Sequence, residues 1–250
     1  MTPHRDVDPS TASEALATRS LIVVPTYNEA SNIGQLVAEF FNAASDAHLV
    51  VVDDNSPDGT AKGVEHLMAT YPNLSLIRRT GERALGHAYV AGILHGLNDG
   101  FEAIGTMDAD LSHTPAYLPQ MYAALSHCDV VIGSRYVRDG GTVNRPTSRV
   151  LLSWFANKFA ATLLQLPARD ITSGFRLYRR TSLEWIRTRP VKSTGYSFLA
   201  ELLYRAHKRG ARITEVPIIF HDRTLGVSKL HRREIYRGVL NLLKLRLSRD

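Results

Sequence analysis

The chain has 250 residues, 44% apolar and 22% charged, an ordinary composition for a soluble globular protein and enough for one large domain with a substantial core or at most two small ones. Its net charge of +6 and pI of about 9.5 favour an anionic partner (nucleotide, lipid phosphate, anionic membrane or nucleic acid) without choosing among them. The single cysteine, Cys128, excludes an intrachain disulfide and a cysteine metal site and fits a reducing compartment, and no window reaches the roughly 18 consecutive apolar residues of a membrane span.

Met1 to Arg19 holds acids, two prolines and no apolar core, so residues 1–19 are expected to be a disordered leader and not a secretory signal. Leu21 to Pro25 is a short β-branched apolar run, a buried strand. Ser31 is the expected N-cap of a helix through Phe41, with Ile33, Leu36, Val37, Phe40 and Phe41 on its inner face. His48 to Val52 is a second strand and runs into the dense turn signal Asp53 to Thr60. A helix near Ala61 to Thr70, a strand Leu74 to Ile77 and a helix His87 to Leu97 follow. The apolar run Phe101 to Ile104 ends a fourth strand, Thr114 and Pro115 read as N-cap and first helical position, and Val130 to Gly133 is the next strand. This β-α-β-α rhythm implies an α/β fold, a mostly parallel sheet with helices on both faces.

After Ser134 the rhythm breaks. Arg138 to Arg149 reads as loop and Val150 to Leu164 as helix; Asp170 to Arg180 holds a turn and a short strand. Tyr196 to Arg209 is helical, and Ile213 to Phe220 is an edge strand because Pro217 interrupts it. A polar loop leads to an amphipathic helix over residues 231–250, leaving 20–230 as the main domain. On that helix Arg233, Arg237, Asn241, Lys244 and Ser248 share one face, and Tyr236, Leu240, Leu243 and Leu247 another. It is the candidate for contact with a membrane surface, packing on the core being the alternative.

Parallel strands deliver Glu29, Asp53, Asp54, Asp108 and Asp110 to one edge of the sheet. The pair Asp108 and Asp110, on a loop after a buried strand, offers hard oxygens suited to Mg²⁺ or Mn²⁺ shared with substrate phosphates. Neither a P-loop nor a GxGxxG loop follows the first strand, which excludes a P-loop ATPase and a dinucleotide oxidoreductase. An aspartyl-phosphate hydrolase needs a second acid two residues after Asp54, and Ser56 stands there.

Five segments then occur in order: Val24-Pro25-Thr26-Tyr27-Asn28-Glu29, Val52 to Thr60, Met107 to His113, Gly133-Ser134-Arg135-Tyr136 and Ser173 to Tyr178. From about Leu21 to Leu230 the chain resembles the polyprenyl-phosphate mannose synthases of inverting glycosyltransferase family 2, which have the Rossmann-like GT-A fold. The resemblance implies a donor site at Pro25, Tyr27, Glu29, Val52 and Asp54, with Asp108, Ala109 and Asp110 around metal and diphosphate. It implies a metal set of Asp108, Asp110 and Ser112, where the family often has Gln at the last position and the shorter serine would reach the metal through a water. It further implies Arg135, Arg223 and Lys229 as cations on the donor, with catalysis on these three and Asp110, and Arg149 and Ser153 as acceptor-phosphate contacts. The donor it implies is GDP-mannose and the acceptor a polyprenyl monophosphate. The same chemistry with UDP-glucose, and a non-catalytic lipid-binding subunit, stand as alternatives.

An acceptor phosphate is already anionic at neutral pH, so no obligatory general base is expected. A basic pI without a recognised basic helix or aromatic motif speaks against nucleic acid. A lipid acceptor and no spanning segment imply a peripheral protein on the cytoplasmic face of a membrane, helped by its own helix or by a tethering protein or domain.

Overall fold

The computed structural model describes residues 9–189, 191, 193, 196–222 and 232–247. Its strands are β1 (Ser20–Thr26), β2 (His48–Asp53), β3 (Leu74–Arg78), β4 (Ala103–Thr106), β5 (Val130–Ser134), β6 (Gly141–Val143), β7 (Arg176–Arg179), β8 (Ile213–Pro217) and β9 (Ile219–His221). Seven of them form one sheet in the order β3-β2-β1-β4-β7-β5-β8; β6 and β9 pair separately. All neighbours in the large sheet are parallel except β7, which runs antiparallel between β4 and β5.

Successive side chains of a strand point to opposite faces, and in β1 and β2 both faces are apolar. Leu21, Val23, Val50 and Val52 pack on one side; Ile22, Val24, Leu49 and Val51 pack on the other. This two-sided burial is the reason these strands are unbroken apolar runs. The second set meets α1 (Pro9–Ala17), α2 (Ile33–Ala43), α3 (Thr60–Met68) and α5 (Leu118–Leu125). The first set meets α4 (Leu85–Asn98), α6 (Thr147–Leu164), α7 (Tyr196–Lys208) and α8 (Arg232–Leu247). Helix α4 lies unusually close to β1, because Gly92 and Gly96 face Val23 and Leu21 with no room for a Cβ.

The sheet also decides where a ligand can bind. β2 and β3 lie on one side of β1 and β4 on the other, so the topology reverses at the β1/β4 boundary, where open α/β sheets bind ligands beyond their carboxyl ends. Pairing of β1 with β4 stops at Val23 and Thr106, two residues short of Pro25. The Val23 carbonyl faces β4, accepting from Met107 N–H, and that of Thr26 faces β2, accepting from Asp54 N–H. By alternation the missing N–H of Pro25 faces the side where the ladder has already ended.

Three local expectations are corrected. Residues 9–17 form helix α1 where a disordered leader is expected; Leu16 is buried against the second core layer, and this burial offsets the ordering cost. Ser31 does not cap α2. The helix starts at Ile33, and the Glu29 carbonyl takes the N–H groups of Asn32 and Ile33. The segment 138–149 contains β6, whose pairing with β9 lies too far along the chain to be read locally. Helix α8 packs against the rest of the domain through Leu242 and Leu245 and through the Asn241 side chain, which donates to Ser197 Oγ at 3.0 Å.

Candidate active site

The loops after β1 and β2 are tied together before any ligand is considered. The Asp53 carboxylate, 1% exposed, accepts from Thr26 Oγ1 (3.0 Å), Ser56 N–H (2.9 Å) and Ser56 Oγ (2.5 Å). Asp58 accepts from Ala30 N–H and Thr60 N–H, both at 3.0 Å, and from Thr60 Oγ1 at 2.6 Å. Burial pushes the Asp58 carboxyl up, but these bonds, the Thr60 hydroxyl foremost, outweigh it and hold the group below its ordinary value. Asn28 N–H donates to Ser56 Oγ and Glu29 N–H to Thr60 Oγ1, each at 3.0 Å. Asp53 and Asp58 are therefore framework. Asp54, next to Asp53, takes no part in this framework, and Arg79, just after β3, donates to it.

Three non-glycine residues with positive φ mark the turns of this edge: Asn28 at 62°, Asn55 at 58° and Leu111 at 62°. Asparagine tolerates the left-handed region; leucine does so only under constraint. Leu111 lies between Asp110 and Ser112, and the turn is closed by Ser112 N–H (3.1 Å) and Ser112 Oγ (2.5 Å), both donating to Asp110 Oδ1. Ser112, expected to reach the metal through a water, is 1% exposed and gives its hydroxyl proton to Asp110, which orients that acid.

Asp108, the other acid, accepts from Tyr89 Oη at 2.8 Å. Its backbone N–H donates to His113 Nδ1 at 3.3 Å. His113 is buried against Phe175 and Phe220, and burial pushes its pKa down, with Asp108 and Asp110 opposing. The ring is thus neutral and an acceptor at Nδ1. Among the described residues no cluster of three or more His, Cys, Asp and Glu forms a closed metal cage. Two carboxylates with an open remainder fit a small divalent cation whose other ligands are substrate diphosphate oxygens and water.

Tyr27 is exposed, with the Arg83 guanidinium 4.0 Å from its ring centroid. Pro25, Val52 and Ala109 are buried in strand and turn. Glu29 accepts from Asn32 Nδ2 at 2.7 Å. Arg223 and Lys229 lie outside the described residues.

Arg135 departs from the expectation. Instead of standing free as a cation on a donor, it makes a two-pronged pair with fully buried Asp170 (Nε to Oδ2 2.8 Å, Nη2 to Oδ1 2.7 Å) and donates to Thr172 Oγ1 at 2.8 Å. Burial lowers its pKa, but the Asp170 charge beside it more than compensates, so it stays charged and already paired. Asn157 on α6 continues this network: its Nδ2 donates to Ser153 O and Thr172 Oγ1, and its Oδ1 accepts from Thr172 N–H. Ser153 stands one helical turn before Asn157 and Arg149 one turn before Ser153, so the acceptor candidates are fixed through Thr172. Arg149 is half-exposed, with Nη1 4.0 Å from Asp222. Arg145, whose guanidinium lies 5.6 Å from the Phe220 ring, adds a cation on this side that the sequence reading does not single out. Tyr89, His113, Asn157 and Asp170 carry no local signal either, since each acts through a partner 5 to 35 positions away.

Comparison with known proteins follows the same outline. The family described as Glycosyl transferase family 2 matches residues 21–187. The chain is 38% identical over 226 residues to an undecaprenyl-phosphate mannosyltransferase of Micrococcus luteus, covering 90% of this chain and 93% of that one. It is 42% identical over 214 residues to a polyprenol monophosphomannose synthase of Mycolicibacterium smegmatis, covering 85% and 81%. Its fold matches glucosyl-3-phosphoglycerate synthase of Mycobacterium tuberculosis, solved with Mn²⁺, UDP-glucose and phosphoglyceric acid, at TM-score 0.69 and 18% identity, over 100% of this chain and 88% of that one. It also matches the mannosyltransferase PcManGT of Pyrobaculum calidifontis, solved with GDP-Man and Mn²⁺, at TM-score 0.61 and 19% identity, over 91% of this chain and 62% of that one.

Proposed function

Because the chain belongs to glycosyl transferase family 2, we propose that it transfers mannose from GDP-mannose to a polyprenyl monophosphate, with inversion at the sugar C1. One observation carries the reading: relatives named for mannose transfer to a polyprenyl phosphate match over most of both chains. The geometry supports it independently. Asp108 and Asp110 stand at the switch point of the sheet, and Arg145 lies across Phe220 from His113, the acceptor of the Asp108 N–H.

The work of the protein is to bring two anions together. Tyr27 and Asp54 with Arg79 bind the nucleoside; Asp108 and Asp110 are the residues that would hold Mg²⁺ or Mn²⁺. When bound, the cation neutralises charge on the departing diphosphate. Arg145, Arg149 and Ser153 receive the acceptor phosphate, and by family resemblance Arg223 and Lys229 complete the positive surroundings. An acceptor phosphate oxygen attacks C1, the bond from C1 to the diphosphate oxygen breaks, and GDP leaves with that electron pair. The nucleophile is already deprotonated, so positioning and charge stabilisation carry the rate without a general base.

The lipid tail needs an apolar surface. Leu151, Leu152, Trp154, Phe155 and Phe159 of α6 are all exposed, Phe155 at 58%, while Asn157, Ala160 and Leu164 of the same helix are buried. Large exposed apolar residues gathered on one helix mark an interaction surface. Helix α8 adds exposed Leu240, Leu243 and Leu247. Among the described residues no helix is long and apolar enough to cross a membrane. We assign the bilayer contact to α6 with α8 beside it, on the cytoplasmic face, with or without a separate tether. The test is turnover of radiolabelled GDP-mannose and UDP-glucose, each with a short polyprenyl phosphate, with and without Mg²⁺ or Mn²⁺. Metal-dependent mannosyl lipid is the expected product. Preference for UDP-glucose would transfer the reading to a glucosyl donor, and binding of lipid without turnover of either would make the chain a non-catalytic subunit.

A further inference from the structure

Tyr89 has no part in the function proposed so far, yet it is the side chain that fixes one of the two acids. It lies in the second turn of α4 and is fully buried. Its ring stacks on Phe198 of α7, centroids 5.7 Å apart and planes 5° from parallel, and its hydroxyl donates to Asp108 Oδ1 at 2.8 Å. The position is over-determined. The close approach of α4 to β1 at Gly92 and Gly96 sets the depth of the helix and with it the reach of the phenol, and the ring lies flat on Phe198.

The far side of the same carboxylate is also fixed. A Cβ at Gly174 would come within 3.0 Å of Asp108 Oδ1 and 3.2 Å of Oδ2, so the acid lies flush on bare backbone there. That backbone is itself held, because Thr106 Oγ1 donates to Gly174 O at 2.7 Å. Rotation of an aspartate carboxylate about its last torsion is otherwise soft. Here the phenol engages one oxygen and Gly174 supports the plane.

We propose that Tyr89 is a positioning residue: its hydrogen bond to Oδ1 fixes the Asp108 carboxylate so that Oδ2 is presented to the divalent cation of a bound nucleoside diphosphate. This rests on the donor reading given above. Burial raises the Tyr89 pKa well above its ordinary value, and the charge of Asp108 adds to this, so the group is a neutral donor and no base. Partners of metal ligands that lie outside the coordination sphere typically govern affinity by about 10- to 100-fold.

The test uses Tyr89→Phe, which keeps the ring and its stack on Phe198, and reads Mn²⁺ binding in the presence of excess GDP by electron paramagnetic resonance, with no acceptor and no turnover. The expected result is a loss of Mn²⁺ affinity of about tenfold, with GDP affinity in the absence of metal unchanged and Tm moved by only a few degrees. Phe198→Leu, which loosens the stack and leaves the hydroxyl, should lower Tm with Mn²⁺ affinity changed less than twofold. Mn²⁺ affinity of Tyr89→Phe within twofold of the parent overturns the proposal, as does an equal loss in both variants, which would make Tyr89 a packing residue only. Should Tyr89→Phe not fold, Gly174→Ala disturbs the same carboxylate from its other side, and an unchanged Mn²⁺ affinity there overturns the proposal. A parent protein that binds no Mn²⁺ with GDP overturns the donor reading itself, an outcome distinct from parent binding with an unaffected variant.

Discussion

The edge that carries the acids and the half that carries α6 are built by different means. In the loops after β2 and β4, three acids each hold a bond within two or three residues (Ser56 to Asp53, Thr60 to Asp58, Ser112 to Asp110), to which the β1 loop and Tyr89 add longer ones. In the second half they span tens of residues: Arg135 to Asp170 across 35, Asn157 to Thr172 across 15, and Arg169 N–H to Glu215 across 46. A loop with bonds of its own keeps part of its shape when a distant contact is lost. A site assembled only from distant segments depends on each of them, so the acid edge should lose less to damage elsewhere than the acceptor side.

The largest effect expected within this contrast is on the acid edge itself. Asp110→Ala removes one of two candidate cation ligands and should lower transfer by about a thousandfold, the several kcal/mol that a bound cation supplies at the transition state. Chelation of the parent protein should reproduce that loss and added Mn²⁺ should reverse it, with a circular-dichroism spectrum unchanged throughout. Full activity of Asp110→Ala at saturating metal would remove the metal site from the β4 loop.

Next in size is the pair that anchors the second half. Asp170→Ala leaves the Arg135 guanidinium buried without its partner and should cost about 3–5 kcal/mol of unfolding free energy. Denaturant midpoints measure it. A loss below about 1 kcal/mol would mean that water enters the space and that the network is not what fixes α6.

Asn157→Leu separates the two regions more finely. It deprives Thr172 N–H of its acceptor, a cost of about 1–3 kcal/mol, and loosens the turn that carries Arg149 and Ser153. The expected outcome is an acceptor KM raised about tenfold with Mn²⁺–GDP affinity unchanged. A matching fall in donor affinity would show that the two regions are one mechanical unit. The smallest effect on stability belongs to Phe155→Ser, whose side chain is already in solvent: unfolding free energy should shift by less than about 0.5 kcal/mol. Co-sedimentation with anionic vesicles should nevertheless fall several-fold, and unchanged sedimentation would shift the bilayer contact to α8.

The amino-acid order establishes the β-α-β-α half, because two-sided burial writes each parallel strand as a continuous apolar run: Leu21 to Pro25 lies in β1 and His48 to Val52 in β2. It determined that Asp54, Asp108 and Asp110 reach one edge, because parallel strands point their carboxyl ends the same way. It misread Ser31 and left the partners of Arg135 and Ser112 open for the same reason: a residue type gives a capacity to bond, and proximity decides with whom. Only the tertiary structure decided that β7 enters antiparallel between β4 and β5 and so brings Gly174 against Asp108. Only it decided that Asp170 takes the charge of Arg135 and that Tyr89, from the second turn of α4, reaches the acid 19 residues away. Periodicity records which face of an element is buried; the partner on the other side of a contact is set by how the elements pack, and that enters no local pattern.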